Sequence, residues 1–291
     1  MISPVILMAA IVALLPFLTA AFFSAKLATA TERLPASVQF FAPSIVCVPY
    51  LLVAFSTRTF RWEWLALYAL LPVTISFLMW QARRSDPTQH GNWRDFLVLA
   101  ILGLAVDLRW FQHAWPAHLI VFNKILLLDT GMWGFLVLRR LDAVGFNLRL
   151  QWHDLGIGLR ELAFYTPLAI PLGLSLGFLH LHPSVPWLPR LPGAFLFTFF
   201  FIAVPEELFF RGWLQNLLER RIGRYPALFF TAALFGLAHF NKRAIHFNWR
   251  YVLLAALAGI FYGRAWRQRR RVGASAVTHA CVDTIWSLWL R

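Results

Sequence analysis

The sequence predicts an all-α fold, a polytopic transmembrane helical bundle of about ten spans with a polar site held inside the membrane in its C-terminal half. Three observations predict it. Hydrophobic residues make up 59% of the 291-residue chain, charged residues only 14%, and mean hydropathy is +0.62. A soluble domain of this length needs far more polar surface. Apolar runs recur along nearly the whole chain, each close to the roughly 20 residues that cross about 30 Å of hydrocarbon. Between those runs the basic residues gather in short clusters.

The runs fall at about 3–24, 38–56, 63–80, 95–110, 116–138, 161–181, 194–218, 226–241, 250–266 and 272–290. The fourth and eighth are short enough to be re-entrant or tilted. Pro43, Pro49, Pro72, Pro167, Pro171 and Pro205 lie within runs, where neighbouring helices satisfy the backbone groups a proline frees. The first run, from Ile2 to Ala25, lacks the basic leader that a cleaved signal peptide carries, so it reads as a transmembrane helix. Cys47 and Cys281 both fall in apolar runs and form neither a disulfide framework nor a metal-ligand spacing.

The formal charge of +14 raises the question of nucleic acid, but the placement of the charges answers it differently. Loops after odd-numbered runs hold 17 Lys or Arg and the opposite side holds 8, with Lys124 and Arg211 inside runs. Positive loops mark the cytoplasmic side, which places both termini outside. No nucleic-acid partner is expected. The expected setting is a multi-pass cell membrane, the inner membrane of a bacterium. The polar, amphipathic segment from Arg139 to Glu161 is expected to lie along the cytoplasmic interface, and it divides the chain into residues 1–150 and 151–291.

Ionisable residues inside a membrane cost about 2.5–3.5 kcal/mol each on insertion scales, so each asks for a reason. In the first half, Asp107, Lys124 and Asp129 read as a packing device in which a Lys and an Asp neutralise each other. The second half differs. Glu206, Glu207 and Arg211 share the seventh run, His239 ends the eighth, and His279 and Asp283 lie in the tenth. At about 1.5 Å per residue, Glu206 and His239 both sit about 20 Å from the basic clusters, with His279 and Asp283 at about 12 and 18 Å. Three helices therefore bring polar groups to a similar depth. Glu207 and Arg211 are four apart and share a face, so they can pair; Glu206 projects about 100° away. Phe235 and His239, like His279 and Asp283, are also four apart. A buried polar network that fixes helix packing would look like this. So would a general acid–base site made of a Glu and two His residues.

The residues also carry a resemblance. Glu206-Glu207-Leu208-Phe209-Phe210-Arg211 fits EExxxR, Phe235 to His239 fits FxxxH, and His279 to Asp283 fits HxxxN/D. In that order the trio resembles the CPBP family, which includes the type II CAAX prenyl endopeptidases and bacteriocin-processing and self-immunity proteins. The likeness covers about Ala194 to Leu290. It implies an intramembrane endopeptidase in which Glu206 and His239 activate water, His279 and Asp283 stabilise the oxyanion, and Glu207, Arg211 and Phe235 support them. Asp283 stands where other members often carry Asn, and it donates only when protonated. The implied partners are a protein or peptide substrate at the membrane and the bilayer itself.

A non-proteolytic scaffold or immunity protein is the alternative, and a transporter a lesser one, since no repeat symmetry is visible. No cofactor is expected. Zinc is the runner-up, with Glu206, His239 and His279 as ligands, because two His and a carboxylate describe a catalytic zinc site. Pro205, just before the glutamates, is expected to kink the seventh run. Reporter fusions test the topology: those after Arg84 and Arg221 should be cytoplasmic and one at Arg291 external. A cytoplasmic fusion at Arg291 would mean a miscounted span.

Overall fold

The computed structural model describes residues 3–182, 188–242 and 246–290, so Ile2 of the first apolar run and Arg291 lie outside the described residues. Among these residues ten long helical runs follow one another, each overlapping a place where the sequence predicts a span. They are α1 (Pro4–Glu32), α2 (Ala36–Ser56), α3 (Trp62–Ser85), α4 (Trp93–Asp107), α5 (Ala117–Leu138), α6 (Trp152–Ser175), α7 (Leu191–Ile222), α8 (Arg224–Leu237), α9 (Trp249–Arg269) and α10 (Val272–Trp289). The chain is all-helical. Among the described residues, α1 as far as Ser24, α2, α3, α5 and α7 are each long and apolar enough to cross a membrane. The others fall short for visible reasons. Helices α4 and α8 have 15 and 14 residues, α6 carries charges near its start, α9 carries them at both ends, and α10 carries His279 and Asp283 mid-helix.

The chain separates into two compact units, Met1–Asp142 and Ala143–Arg291, eight residues before the division near 150 that the sequence suggests. The polar segment Arg139 to Glu161 splits as well. Residues 140–151 are not helical, and α6 begins at Trp152.

In the first unit the feature that fixes the loop between α3 and α4 is Arg139, which is fully buried. Its Nε lies 2.8 Å from Asp95 Oδ1 and its Nη2 lies 2.6 Å from Asp86 Oδ2. Asp95 is also the third residue of a capping box: Asn92 Oδ1 accepts from the Asp95 N–H, and Asp95 Oδ2 accepts from the Asn92 N–H. One carboxylate thus closes a helix start and holds a cation. Burial acts to raise the Asp86 pKa, but the N–H groups of His90 and Gly91, with Arg139, outweigh it and hold the carboxyl below its ordinary value. The expected Lys124 pair in this unit is not found among the described residues. Lys124 is exposed and Asp129 buried, because five positions on one helix turn them about 140° apart.

The second unit repeats the capping device. Asp154 Oδ2 accepts from the Gln151 N–H at 2.9 Å, and Asp154 Oδ1 pairs with Arg271 Nε at 2.8 Å. That ties the start of α6 to the start of α10. At the same end Glu219, near the end of α7, pairs with Arg267 and Arg270 at 2.9 and 2.7 Å. Both cations come from the one basic run, Arg267 to Arg271, so a single carboxylate gathers two members of that cluster. Helices α8 and α9 pack closely because small residues face each other. A Cβ on Gly236 would lie 2.5 Å from the Val252 carbonyl oxygen, and one on Gly259 would meet Ala232 at 3.0–3.3 Å. Tyr165, Phe235, Phe261 and Tyr262 fill the space between α6, α8 and α9.

Replacing Arg139 with Met should destabilise the first unit by about 3–5 kcal/mol, because it strands Asp95 without its cation. Thermal melting of the detergent-solubilised protein reads this, and an unchanged Tm would refute it. The depressed Asp86 pKa works in the same direction. Its contribution is present above the unfolded value of about 3.9 and is lost as pH falls through the folded value.

Candidate active site

Helix α7 is not a uniform α-helix around the glutamates. Phe199–Ala203 and Leu208–Gln215 are π-helical, flanking the α-helical turn Val204–Glu207. Proline at 205 has no N–H to give to the preceding turn, and the wider π turn before it accommodates that loss. The chain stays helical from Leu191 to Ile222, so Pro205 is absorbed by a change of pitch.

Glu207 is the buried centre of the site, fully excluded from solvent. Arg211 Nε lies 3.2 Å from its Oε2, one turn along α7. The Ser275 hydroxyl donates to the same oxygen from α10. His279 Nδ1 lies 2.8 Å from Oε1, also from α10. Arg211 is buried too. Its Nη2 donates to the Gly259 carbonyl on α9 at 3.0 Å, and its guanidinium lies 4.7 Å from the Phe235 ring centre and 5.4 Å from that of Tyr262. Cation–π contact of this kind is stronger when desolvated.

His279 is oriented from three directions. A carboxylate accepts and cannot donate, so Nδ1 carries the proton that meets Glu207. Tyr262 stacks on the ring at 4.5 Å and 15°, and Phe235 meets its edge at 5.6 Å and 89°. The remaining nitrogen, Nε2, faces two partly exposed carboxylates, Asp283 Oδ2 at 3.6 Å and Glu206 Oε2 at 3.9 Å. Glu206 retains 26% of its side-chain exposure and Asp283 28%, where Glu207 retains none.

His239 is fixed by the end of α8. The Ala238 N–H reaches Leu234 O, and the His239 N–H turns to Gly236 O, both at 2.9 Å. The carbonyl of Phe235 is thereby left without a backbone donor, as last-turn carbonyls are. His239 Nδ1 lies 2.8 Å from it. A carbonyl only accepts, so Nδ1 is the donor and Nε2 of the neutral ring keeps its lone pair. The Tyr251 ring, 4.7 Å away, packs on the other side. His239, His279 and Asp283 share the wall of a cavity of about 80 Å³ with apolar and aromatic residues including Tyr165, Phe178 and Trp286.

Every candidate named from the sequence lies in this neighbourhood. The motif spacing did not reveal Ser275 or Tyr262, nor the role of the Phe235 carbonyl. Ser275 had a signal, since it lies one turn before His279 on α10. Tyr262 had none, because its contact depends on how α9 lies against α10. The pairing of Glu207 with His279 was also hidden, and it changes how His279 is oriented: Glu207, not Asp283, holds its second nitrogen.

Residues 186–285 match the family described as type II CAAX prenyl endopeptidase Rce1-like, a stretch that contains all three motifs. The second unit carries an Rce1-like domain. No curated protein and no solved structure matches the chain. The match supports membership in the CPBP family of intramembrane endopeptidases, and with the five apolar helices it marks the chain as a membrane protein. The Rce1-like stretch begins within the second unit, and the first unit lies outside it.

Changing Glu207 to Gln should lower stability by about 3–5 kcal/mol, because Arg211 would remain charged and buried without a counter-ion. Removing both charges, Glu207→Gln with Arg211→Met, should recover part of that loss. Equal melting temperatures for wild type and Glu207→Gln would refute the pairing.

Proposed function

We propose that the chain is an intramembrane endopeptidase that hydrolyses a peptide bond of a membrane-associated protein or peptide through water activated by Glu206 and His239. The observation that carries this reading is the asymmetry between the paired glutamates. Glu207 is buried, held by two hydrogen-bond donors and the Arg211 ion pair, whereas its neighbour Glu206 keeps 26% of its side chain exposed and faces His279 Nε2. A purely structural polar network would have no reason to leave one of two adjacent carboxylates partly exposed beside an oriented imidazole.

The steps follow from the donors and acceptors. Water beside Glu206 and His239 Nε2 gives up a proton as its oxygen bonds to the scissile carbonyl carbon. The carbonyl oxygen becomes an oxyanion, which His279, as an imidazolium balanced by Glu207, receives at Nε2–H. Asp283 Oδ2, 3.6 Å from the same Nε2, balances the charge of the ring in the resting site. Collapse of the tetrahedral intermediate breaks the C–N bond, and the proton held at Glu206 or His239 passes to the leaving amine. The cavity walled by aromatic residues would take an apolar part of the substrate.

Zinc fits this arrangement poorly. Among the described residues, no three His, Cys, Asp or Glu side chains are placed to hold a metal ion together. The Lys242 ammonium, 3.8 Å from Glu206 Oε1, would also oppose a dication there. The reading is therefore of a glutamic, metal-free hydrolase in a cell membrane. An immunity or scaffold role would need no activated water, and nothing in the geometry favours it.

Glu206→Gln should leave folding and yield near normal and reduce turnover by about 10²- to 10⁴-fold, the usual worth of a general base. The assay is mass spectrometry of new peptide termini when purified protein is incubated with a solubilised membrane-protein fraction. Cleavage should also persist after exhaustive chelation. Stoichiometric zinc whose removal stops cleavage and whose return restores it would overturn the metal-free mechanism.

A further inference from the structure

Lys242 belongs to none of the three motifs, yet its ammonium lies against the proposed base. Its backbone is held firmly for a residue in a turn. The Lys242 N–H donates to His239 O at 3.2 Å, and Asn248 Nδ2 donates to Lys242 O at 3.2 Å. The Asn248 N–H reaches back to Phe240 O at 2.9 Å, while its Oδ1 caps α9 by accepting from the Tyr251 N–H at 3.3 Å. The turn that presents His239 is thus strapped to the start of α9, and the root of Lys242 is fixed with it.

From that root Nζ reaches to 3.8 Å from Glu206 Oε1 and keeps 34% of its exposure. On the opposite side His279 Nε2 lies 3.9 Å from Glu206 Oε2. Both separations exceed a direct hydrogen bond, so Lys242 and His279 act on the carboxylate by charge. Arg211 is committed to Glu207 and the Gly259 carbonyl, so its charge is answered away from Glu206. A glutamate has three rotatable side-chain bonds, and at 26% exposure packing alone does not fix it.

We propose that Lys242 is a positioning residue for Glu206, an ammonium on a strapped turn that keeps the base aimed between His239 and His279. This rests on the protease reading above. Because Lys242 acts through Glu206 and not on the substrate, its loss should fall on kcat. A displacement of about 1 Å in a reacting group can cost about 10²-fold.

The test uses full-length detergent-solubilised protein in four forms: wild type, Lys242→Met, Lys242→Arg and Glu206→Gln, with the Lys242→Met/Glu206→Gln double variant for melting. A peptide identified as cut from the solubilised membrane fraction serves as kinetic probe. Lys242→Met should lower kcat by about 10- to 100-fold with KM within about twofold, and Lys242→Arg should restore most of it. The melting shifts of Lys242→Met and Glu206→Gln should not add in the double variant. Wild-type kcat in Lys242→Met, no rescue by Arg, or additive melting shifts would each overturn the proposal. If wild type cuts nothing, the protease reading fails, and the melting cycle still decides whether Lys242 and Glu206 act as a unit.

Discussion

A carboxylate cut off from water needs its charge answered, or it will not stay charged; Glu207 meets that demand with hydrogen bonds from Ser275 and His279 and an ion pair with Arg211. Arg211 comes from its own helix, and Ser275 and His279 come from α10. Arg211 then reaches the Gly259 carbonyl on α9. The cost of dehydrating the pair is several kcal/mol per ion, recovered only where geometry is close and hydrogen bonds complete it. Satisfying one buried charge therefore fixes the relative placement of α7, α9 and α10. It also selects the tautomer of His279. The same contacts that hold these helices together aim the imidazole.

The remaining geometry follows from small local adjustments. Proline at 205 deprives α7 of a backbone donor just before the glutamates, and π-helical turns on both sides take up the change. Glycine at 236 and 259 lets α8 and α9 approach until backbone meets side chain. That approach brings Tyr262 and the Gly259 carbonyl within reach of a site whose charged groups come from other helices. At the end of α8, replacing one i→i+4 bond with an i→i+3 bond frees the Phe235 carbonyl for His239.

What could be read from the sequence was whatever follows from spacing within one helix. Apolar runs located the ten helical runs, and four-residue intervals put Glu207 with Arg211 and His279 near Asp283. Depth along antiparallel helices brought Glu206, His239 and His279 to one level. Contacts that depend on how one helix rotates against another were not legible. His279 was given Asp283 as its natural partner, because they share a face, yet the 2.8 Å contact is with Glu207 across the helix pair. His239 looked to have only an aromatic side chain one turn back, when the partner is that residue's backbone carbonyl. The Lys–Asp pair expected across packed helices in the first unit meets the same limit: Lys124 is exposed while Asp129 is buried. Lys242 was invisible because a lysine in a loop reads as topology.

Hydrolysis in an apolar chain sets two conflicting conditions: water must reach the scissile bond, and charge must be strong enough there to act. The exposure of the polar residues reconciles them as a gradient. Glu207 and Arg211 are dry, Glu206 and Asp283 are a quarter to a third exposed, and Lys242 lies further out. Charges at the dry end feel a low dielectric, so they orient His279 strongly and do not exchange partners with solvent. Charges at the wet end can bind and release water and a substrate without a large desolvation cost. His279 joins the two ends, with Nδ1 on the dry carboxylate and Nε2 on the wet ones. A second dry glutamate at 206 would leave no base for water, and a wet glutamate at 207 would leave His279 loosely held. The paired glutamates of α7 are therefore one device with two halves, and one residue's rotation of about 100° is what separates structure from chemistry.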